Sequence, residues 1–92
     1  MLVEWRPEAR ADLLQILEYM SDRNLAAASE LYQAIEAAVS ALPQHPYLYR
    51  SGRVPATREL VVHPNYLVVY RVTDRIEVVA VLHARQPYPC MA

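Results

Sequence analysis

The sequence of 92 residues has little or none of several residue types, and each scarcity excludes a class of protein. Gly52 is the only glycine, so no glycine-rich loop can cradle a phosphate group. Cys90 is the only cysteine, which excludes a disulfide scaffold and suits a reducing compartment. No apolar run approaches bilayer length, and no basic segment precedes an apolar one as in a secretory signal. We therefore expect a cytoplasmic protein with no membrane partner.

The chain also has no lysine, and all nine of its cations are arginines. Residues 1–46 hold three arginines against seven acids, whereas residues 47–92 hold six arginines against three acids. The second half would therefore attract an acidic partner. A guanidinium favours bidentate recognition of carboxylate or phosphate groups, although a GC-rich genome gives the same preference for arginine.

What the chain does contain is typical of one globular domain spanning residues 1–92. Hydrophobic residues make up 54% and charged residues 21%, which argues against disorder. The alternation of apolar and charged residues predicts a short edge strand at residues 2–6. Apolar residues at helical spacing then predict two helices, at residues 7–22 and from residue 25 to about 42, with Asn24 as the N-cap of the second.

Residues 57–89 are rich in β-branched and aromatic residues. They predict a strand at residues 57–62 and a hairpin around the polar break Thr73–Asp74–Arg75. The expected fold is α+β: a short N-terminal strand, an antiparallel two-helix hairpin and a three-stranded antiparallel sheet, with the helices on one sheet face. Residues 44–55 are expected to form a loop.

A three-residue turn separates the hairpin residues into two faces better than an even turn does. The face expected to pack on the helices collects Tyr66, Val68, Tyr70, Val72, Ile76, Val78, Ala80 and Leu82. The opposite face collects Leu67, Val69, Arg71, Glu77, Val79, Val81, His83 and Arg85. Its apolar middle and basic end suggest a protein-binding surface. Equally, the C-terminal tail or a loop could cover it.

Several polar side chains on this sheet are open to two interpretations. His83 and Arg85 could act as a general base and a phosphate-binding cation, or as a half-exposed histidine beside a paired arginine. Arg58 and Arg71 could bind a target, or form ion pairs with Glu59 or Glu77. The histidines have no partners at metal-ligand spacing, so we expect no metal and no cofactor.

Three segments resemble the RelE/ParE superfamily, the toxin components of type II toxin–antitoxin pairs. The resemblance covers essentially the whole chain. It is carried by the order β-α-α-β-β-β and by the segments TREL at residues 57–60, YLVVYR at residues 66–71 and LHARQ at residues 82–86.

The resemblance implies one of two activities. RelE-like members are ribosome-dependent mRNA endonucleases that surround the message with cations, whereas ParE-like members poison DNA gyrase. Two cationic positions of the nuclease pattern fall on Leu60 and Leu67, which are apolar. The gyrase-poison function is therefore favoured, with no catalytic residue. The alternative is a nuclease that acts on ribosome-bound mRNA through Arg58, His83, Arg85 and Tyr88.

The resemblance also implies a partner, a ParD- or RelB-like antitoxin whose disordered C-terminal segment folds on the toxin to form a hetero-oligomer. The residues expected to bind the gyrase target are Arg58, Arg71, His83 and Arg85. The residues expected to bind apolar anchors of the antitoxin are Leu67, Val69, Val79 and Val81. The groove of the helical hairpin is the alternative site for those anchors.

Overall fold

The computed structural model describes residues 2–85. Five strands and two helices follow one another in the order β1, α1, α2, β2, β3, β4, β5. A short 3-10 turn, Leu42–Gln44, follows α2. The helices are α1, Pro7–Ser21, and α2, Leu25–Ala41. The strands are β1, Val3–Trp5; β2, Arg50–Ser51; β3, Thr57–His63; β4, Tyr66–Val72; and β5, Ile76–His83.

Both helices begin where local chemistry places them. Pro7 occupies the first turn of α1, where its missing N–H costs no hydrogen bond. The side chain of Asn24 accepts a hydrogen bond of 3.1 Å from the backbone N–H of Ala27 and so caps α2. One stripe of α2 is buried at helical spacing and consists of Ala28, Leu31, Ile35 and Val39. The predicted helical hairpin is confirmed.

The five strands form one sheet in the order β1-β5-β4-β3-β2. Strand β1 pairs parallel with β5 at one edge, while the other pairs are antiparallel. The predicted three-stranded antiparallel unit is therefore present, flanked by two short edge strands. Strand β2 lies inside the segment that was expected to be a loop. Its two residues, Arg50 and Ser51, are too few to produce a sequence pattern.

The β4–β5 hairpin has the predicted turn, but the predicted faces are wrong beyond its middle. Val72 pairs with Ile76, so three residues form the turn. Further along, Tyr70 pairs with Val78 and Val69 pairs with Ala80, which leaves Val79 as the extra residue of a β-bulge. An extra residue inverts the alternation of all residues that follow it in the strand.

The bulge exchanges the faces of the last residues of β5. Val81 lies on the helix-facing side, where it belongs to the main core with Val68 and Tyr70. Ala80 and Leu82 instead join Leu67 and Val69 in a second apolar cluster on the opposite face. The sheet is thus buried on both sides.

Candidate functional site

The sequence left open whether the sheet face opposite the helices is an exposed binding surface or a covered one, and the structure shows that its apolar cluster is buried. Leu67 retains 2% of its exposure and Val69 retains none. Val79 is half-buried beside them, and Val81 lies on the other face. The four residues predicted to meet the antitoxin therefore form no exposed patch in this structure.

Glu59 organises the edge of this face nearest β2. It pairs directly with Val69, so its side chain lies on the same face, and it is only 4% exposed. Arg50 Nη2 donates to Glu59 Oε1 at 3.1 Å, and the backbone N–H of Arg53 donates to Glu59 Oε2 at 3.0 Å. Arg53 Nη2 also donates to the carbonyl of Ala84 at 3.3 Å. Arg53 thus bridges β3 and the turn that follows β5.

Arg71 lies further along the same face, and its positive charge is neutralised by an ion pair with Glu77. It sits directly opposite Glu77 on β5. Arg71 Nη2 and Nε approach Glu77 Oε2 at 2.8 and 2.9 Å. The ion-pair interpretation of Arg71 is therefore the one that the structure supports.

Arg58 lies on the helix-facing side and makes no ion pair with Glu59. Its Nη1 donates to the carbonyls of Tyr47 and Tyr49 at 3.2 and 2.7 Å. Its guanidinium carbon lies 5.1 Å from the centroid of the Tyr47 ring. These contacts hold the loop that follows α2 against the sheet.

Tyr70 strengthens the attachment of this loop. Its hydroxyl donates to the carbonyl of Pro46 at 2.8 Å. Burial raises the pKa of the Tyr70 phenol above its ordinary value, and the nearby positive charge of Arg58 partly opposes that increase. The phenol therefore stays neutral at physiological pH and remains a hydrogen-bond donor.

His83 lies on the opposite sheet face from the predicted one. It pairs with Tyr66, at the other end of β4 from the residue that pairs with Arg58. The bulge turns it toward the helix-facing side, where its ring meets Tyr66 edge-on with centroids 5.3 Å apart. His63 contacts the same tyrosine at 5.6 Å. The Nδ1 atoms of His63 and His83 accept hydrogen bonds from the backbone N–H groups of Asn65 and Arg85.

Among the described residues of the nuclease alternative, Arg58 lies apart from His83 and Arg85. Arg58 lies opposite Tyr70 and His83 lies opposite Tyr66. Four residues of strand separate them, which corresponds to roughly 13 Å. Arg85 lies in the turn after β5 rather than on the strand, and its own N–H donates to His83 Nδ1 at 3.2 Å. Tyr88 lies outside the described residues, as does Cys90.

An exposed apolar groove lies on the helical hairpin. Its volume is about 220 Å³, and its lining is almost wholly apolar. The lining combines small side chains of both helices with larger apolar ones. Leu25 is 72% exposed, and Leu14 and Tyr32 on the neighbouring turns are also exposed. The residues that line it, called the hairpin groove below, are Leu17, Ser21, Leu25, Ala28, Ser29 and Tyr32.

The hairpin groove was predicted only as an alternative to the sheet. A signal for it exists in the helical pattern. The buried stripe of α2 runs through Leu31 and Ile35, and Tyr32 lies one position off that stripe. Leu14 lies off the stripe of α1 in the same way. Large apolar residues beside a complete stripe indicate a second apolar surface.

Asp12 connects α1 to the sheet where β1 has ended. Its Oδ2 accepts a hydrogen bond of 3.2 Å from the backbone N–H of Val81. Burial raises the pKa of the Asp12 carboxyl, and this hydrogen bond partly offsets the increase. The carboxyl thus satisfies a donor of β5 beyond the point where its pairing with β1 ends.

Among residues 2–85, no group of three or more histidine, cysteine or acidic side chains could hold a metal ion. No helix within that range is long and apolar enough to span a membrane.

Comparison with known proteins gives one family. The model described as "ParE toxin of type II toxin-antitoxin system, parDE" matches residues 3–88. The chain is 34% identical over 88 residues to "Putative toxin Y4kP" of Sinorhizobium fredii (strain NBRC 101917 / NGR234), which covers 95% of this chain and 92% of that protein.

Two solved structures are similar in fold. A chain of the chromosomal ParDE TA system from P. aeruginosa has a TM-score of 0.81 at 24% identity, covering 90% of this chain and 95% of that one. YafQ from E. coli strain BL21(DE3) has a TM-score of 0.65 at 11% identity, covering 89% and 91% of the two chains. At these identities the similarity shows the fold alone, and it confirms the predicted α+β architecture.

Proposed function

This chain belongs to the ParE toxin family of type II toxin–antitoxin systems, and from that premise we propose that it inhibits growth by binding DNA gyrase. A gyrase-binding toxin works in the cytoplasm, and a cognate antitoxin neutralises it there. The observation that supports binding over catalysis is the state of the two positions where a nuclease needs cations. Leu60 and Leu67 occupy them, and both are buried.

The residues around those positions support the same proposal. A phosphoryl-transfer site needs several preorganised cations around one phosphate. Within residues 2–85, Arg71 is paired with Glu77, and Arg58 lies far along the sheet from His83. Arg58, Arg71, His83 and Arg85 remain proposed contacts to gyrase, distributed over separate surfaces rather than one rim.

The hairpin groove is the proposed docking site for the antitoxin. It is apolar and exposed, whereas the cluster around Leu67 and Val69 is buried. A segment that is disordered alone can fold as an amphipathic helix in such a groove. Glu18 follows Leu14 by one helical turn and Glu36 follows Tyr32 by one turn, so both acids flank the apolar surface. The helix that docks there should therefore carry basic residues beside its apolar face.

A supercoiling assay tests the proposed target. Purified toxin should inhibit supercoiling by gyrase, and a molar equivalent of the antitoxin encoded beside its gene should restore it. No inhibition at any excess of toxin would exclude gyrase as the target. Primer extension on mRNA from induced cells covers the alternative, because cuts at fixed codon positions would indicate an mRNA endonuclease. Induction that leaves growth unaffected would indicate a chain that has lost toxicity.

A further inference from the structure

A cavity of about 460 Å³ lies beside β2, on the helix-facing side of the sheet. Its walls come from the loop after α2, from β2 and from the segment that leads into β3. Tyr47, Val54, Pro55 and Val72 give it apolar walls, and Ser51 and Arg58 give it polar ones. We call it the Arg58 cavity.

Arg58 is held firmly in this wall. Two carbonyl groups accept from its Nη1, and its guanidinium lies over the Tyr47 ring. Fixing the group in this way removes most of the entropy cost of holding an arginine side chain for a ligand. Nε and Nη2 lie on the part of the guanidinium that these contacts do not use, and together they can donate two bonds to one carboxylate.

Arg58 also lacks an internal counterion among residues 2–85. Four other arginines of the sheet half each contact a carboxylate; they are Arg50, Arg53, Arg71 and Arg75. The acid next to Arg58 in the chain, Glu59, points to the opposite face and is already bound to Arg50 and Arg53. The positive charge of Arg58 is thus left for a group outside the described part of the chain.

The chemistry of the cavity fits a protein carboxylate better than a nucleic acid. A nucleic-acid site gathers several cations along a backbone, whereas Arg58 is the only cation that lines this cavity in the described residues. The apolar walls suit the methylene groups of a glutamate or aspartate side chain. One bidentate arginine against one carboxylate is a common anchor in protein interfaces.

The position of the cavity relative to the hairpin groove indicates which protein supplies the carboxylate. The groove occupies the beginning of α2, and Tyr47 follows the other end of that helix. The helix rises about 15 Å between Tyr32 and Leu42, a distance that five extended residues can span. One antitoxin segment can therefore occupy the groove and reach the cavity.

We propose that the Arg58 cavity binds an aspartate or glutamate side chain of the antitoxin segment that docks in the hairpin groove. This inference rests on the proposed antitoxin complex. The antitoxin would then need basic residues where it crosses the acidic helices and an acid beyond them. That charge order sets the direction in which the segment lies along α2.

Ser51 offers a test that does not depend on removing Arg58. Ser51 pairs directly with Arg58 across the β2–β3 ladder and is exposed, so a longer side chain there can reach the guanidinium without disturbing the core. Ser51→Glu supplies an internal carboxylate that competes with the antitoxin. Ser51→Gln is the matched control, since it has the same shape without the charge.

The measurement is the dissociation constant of the toxin–antitoxin complex by calorimetry, with thermal melting to compare stability. Ser51→Glu should weaken binding about 10- to 100-fold, as expected for losing a charge-assisted hydrogen-bonded pair. Ser51→Gln should weaken binding at least about fivefold less than Ser51→Glu does, because it gives Arg58 no internal carboxylate. Equal affinities for the two variants, both melting like wild type, would overturn the proposal.

A second measurement separates this inference from the proposed function. Titration of the wild-type toxin with N-acetyl-glutamate amide, followed by NMR, should shift the Arg58 Nε–H signal, and Ser51→Glu should abolish that shift. If the antitoxin fails to bind wild-type toxin, the proposed complex is wrong, but a shift with the capped glutamate still supports the cavity. No shift, or a shift only with a single-stranded RNA oligonucleotide, would overturn the carboxylate site.

Discussion

The helical hairpin and the outer face of the sheet both carry large apolar side chains, but those of the hairpin are exposed and those of the sheet are buried. On the hairpin, Leu25 is 72% exposed and lines a groove. On the sheet, Leu67 is 2% exposed and belongs to a second small core. The hairpin half of the chain is acidic and the sheet half is basic. In the proposed complex, apolar side chains of the same type would serve recognition in one region, whereas in the other they stabilise the fold.

A matched pair of leucines gives the strongest test of this difference. Leu67→Ala should destabilise the protein by about 2–5 kcal/mol, because it removes a buried side chain and leaves a cavity. Leu25→Ala should change stability by less than about 0.5 kcal/mol, because the side chain is already in water. Urea denaturation measures both values. If the two substitutions cost the same, the sheet face is not a core.

Glu59 tests what holds the segment next to β2 on the sheet. Glu59→Gln leaves the shape nearly unchanged but removes the charge that Arg50 and Arg53 neutralise. We expect a loss of about 1–3 kcal/mol, since hydrogen bonds to a charged group are being weakened at a buried site. Glu77→Gln is the control, because the Glu77 side chain is 14% exposed whereas that of Glu59 is 4% exposed. A larger loss for Glu77→Gln would contradict this account.

A substitution in the hairpin groove should lower antitoxin affinity and leave stability nearly unchanged, which is the reverse of what is expected for Leu67. Leu25→Glu should lower the affinity for the antitoxin about 10- to 100-fold, because it places a charge in an apolar contact. Stability should be nearly unchanged, since the side chain is exposed in the free toxin. Val61→Glu is the control, as Val61 is an exposed apolar residue of β3 that lies outside the groove. Equal losses for both variants would remove the groove as the docking site.

The two regions also differ in how far the sequence predicts them. The helices, the Asn24 cap and the three-residue turn at residues 73–75 follow from local spacing, and all three were predicted correctly. The bulge at Val79 was not, because Val, Val, Ala and Val in succession carry no glycine or polar residue that would reveal a shift. One extra residue was enough to misplace Val81 and His83.

The burial of Leu67 and Val69 could not be predicted for a related reason. An apolar sheet face has the same pattern whether another part of the chain or another protein covers it. Arg58 illustrates a third limit. Its neighbours Tyr47 and Tyr49 come from a loop eleven and nine residues away, so its contacts depend on tertiary structure.

The smallest predicted effects concern Asp12, which links the two regions. Asp12→Ala removes the acceptor for the Val81 N–H and should cost about 1 kcal/mol. Asp12→Asn keeps an acceptor oxygen and removes a partly buried charge, so at neutral pH it should equal or slightly exceed the stability of wild type. A loss as large as that of Asp12→Ala would show that the charge itself is needed.

The stabilities of wild type and Asp12→Asn should also depend differently on pH. Burial raises the pKa of Asp12 in the folded protein above its ordinary value. The folded state therefore holds the proton more tightly than the unfolded state does. The resulting stability is complete below the ordinary pKa and is lost as pH rises through the raised one. Denaturation across the acidic range should show that the free energy of unfolding of wild type rises relative to that of Asp12→Asn as pH falls. A constant difference would mean that the carboxyl is as well solvated on the folded protein as it is in water.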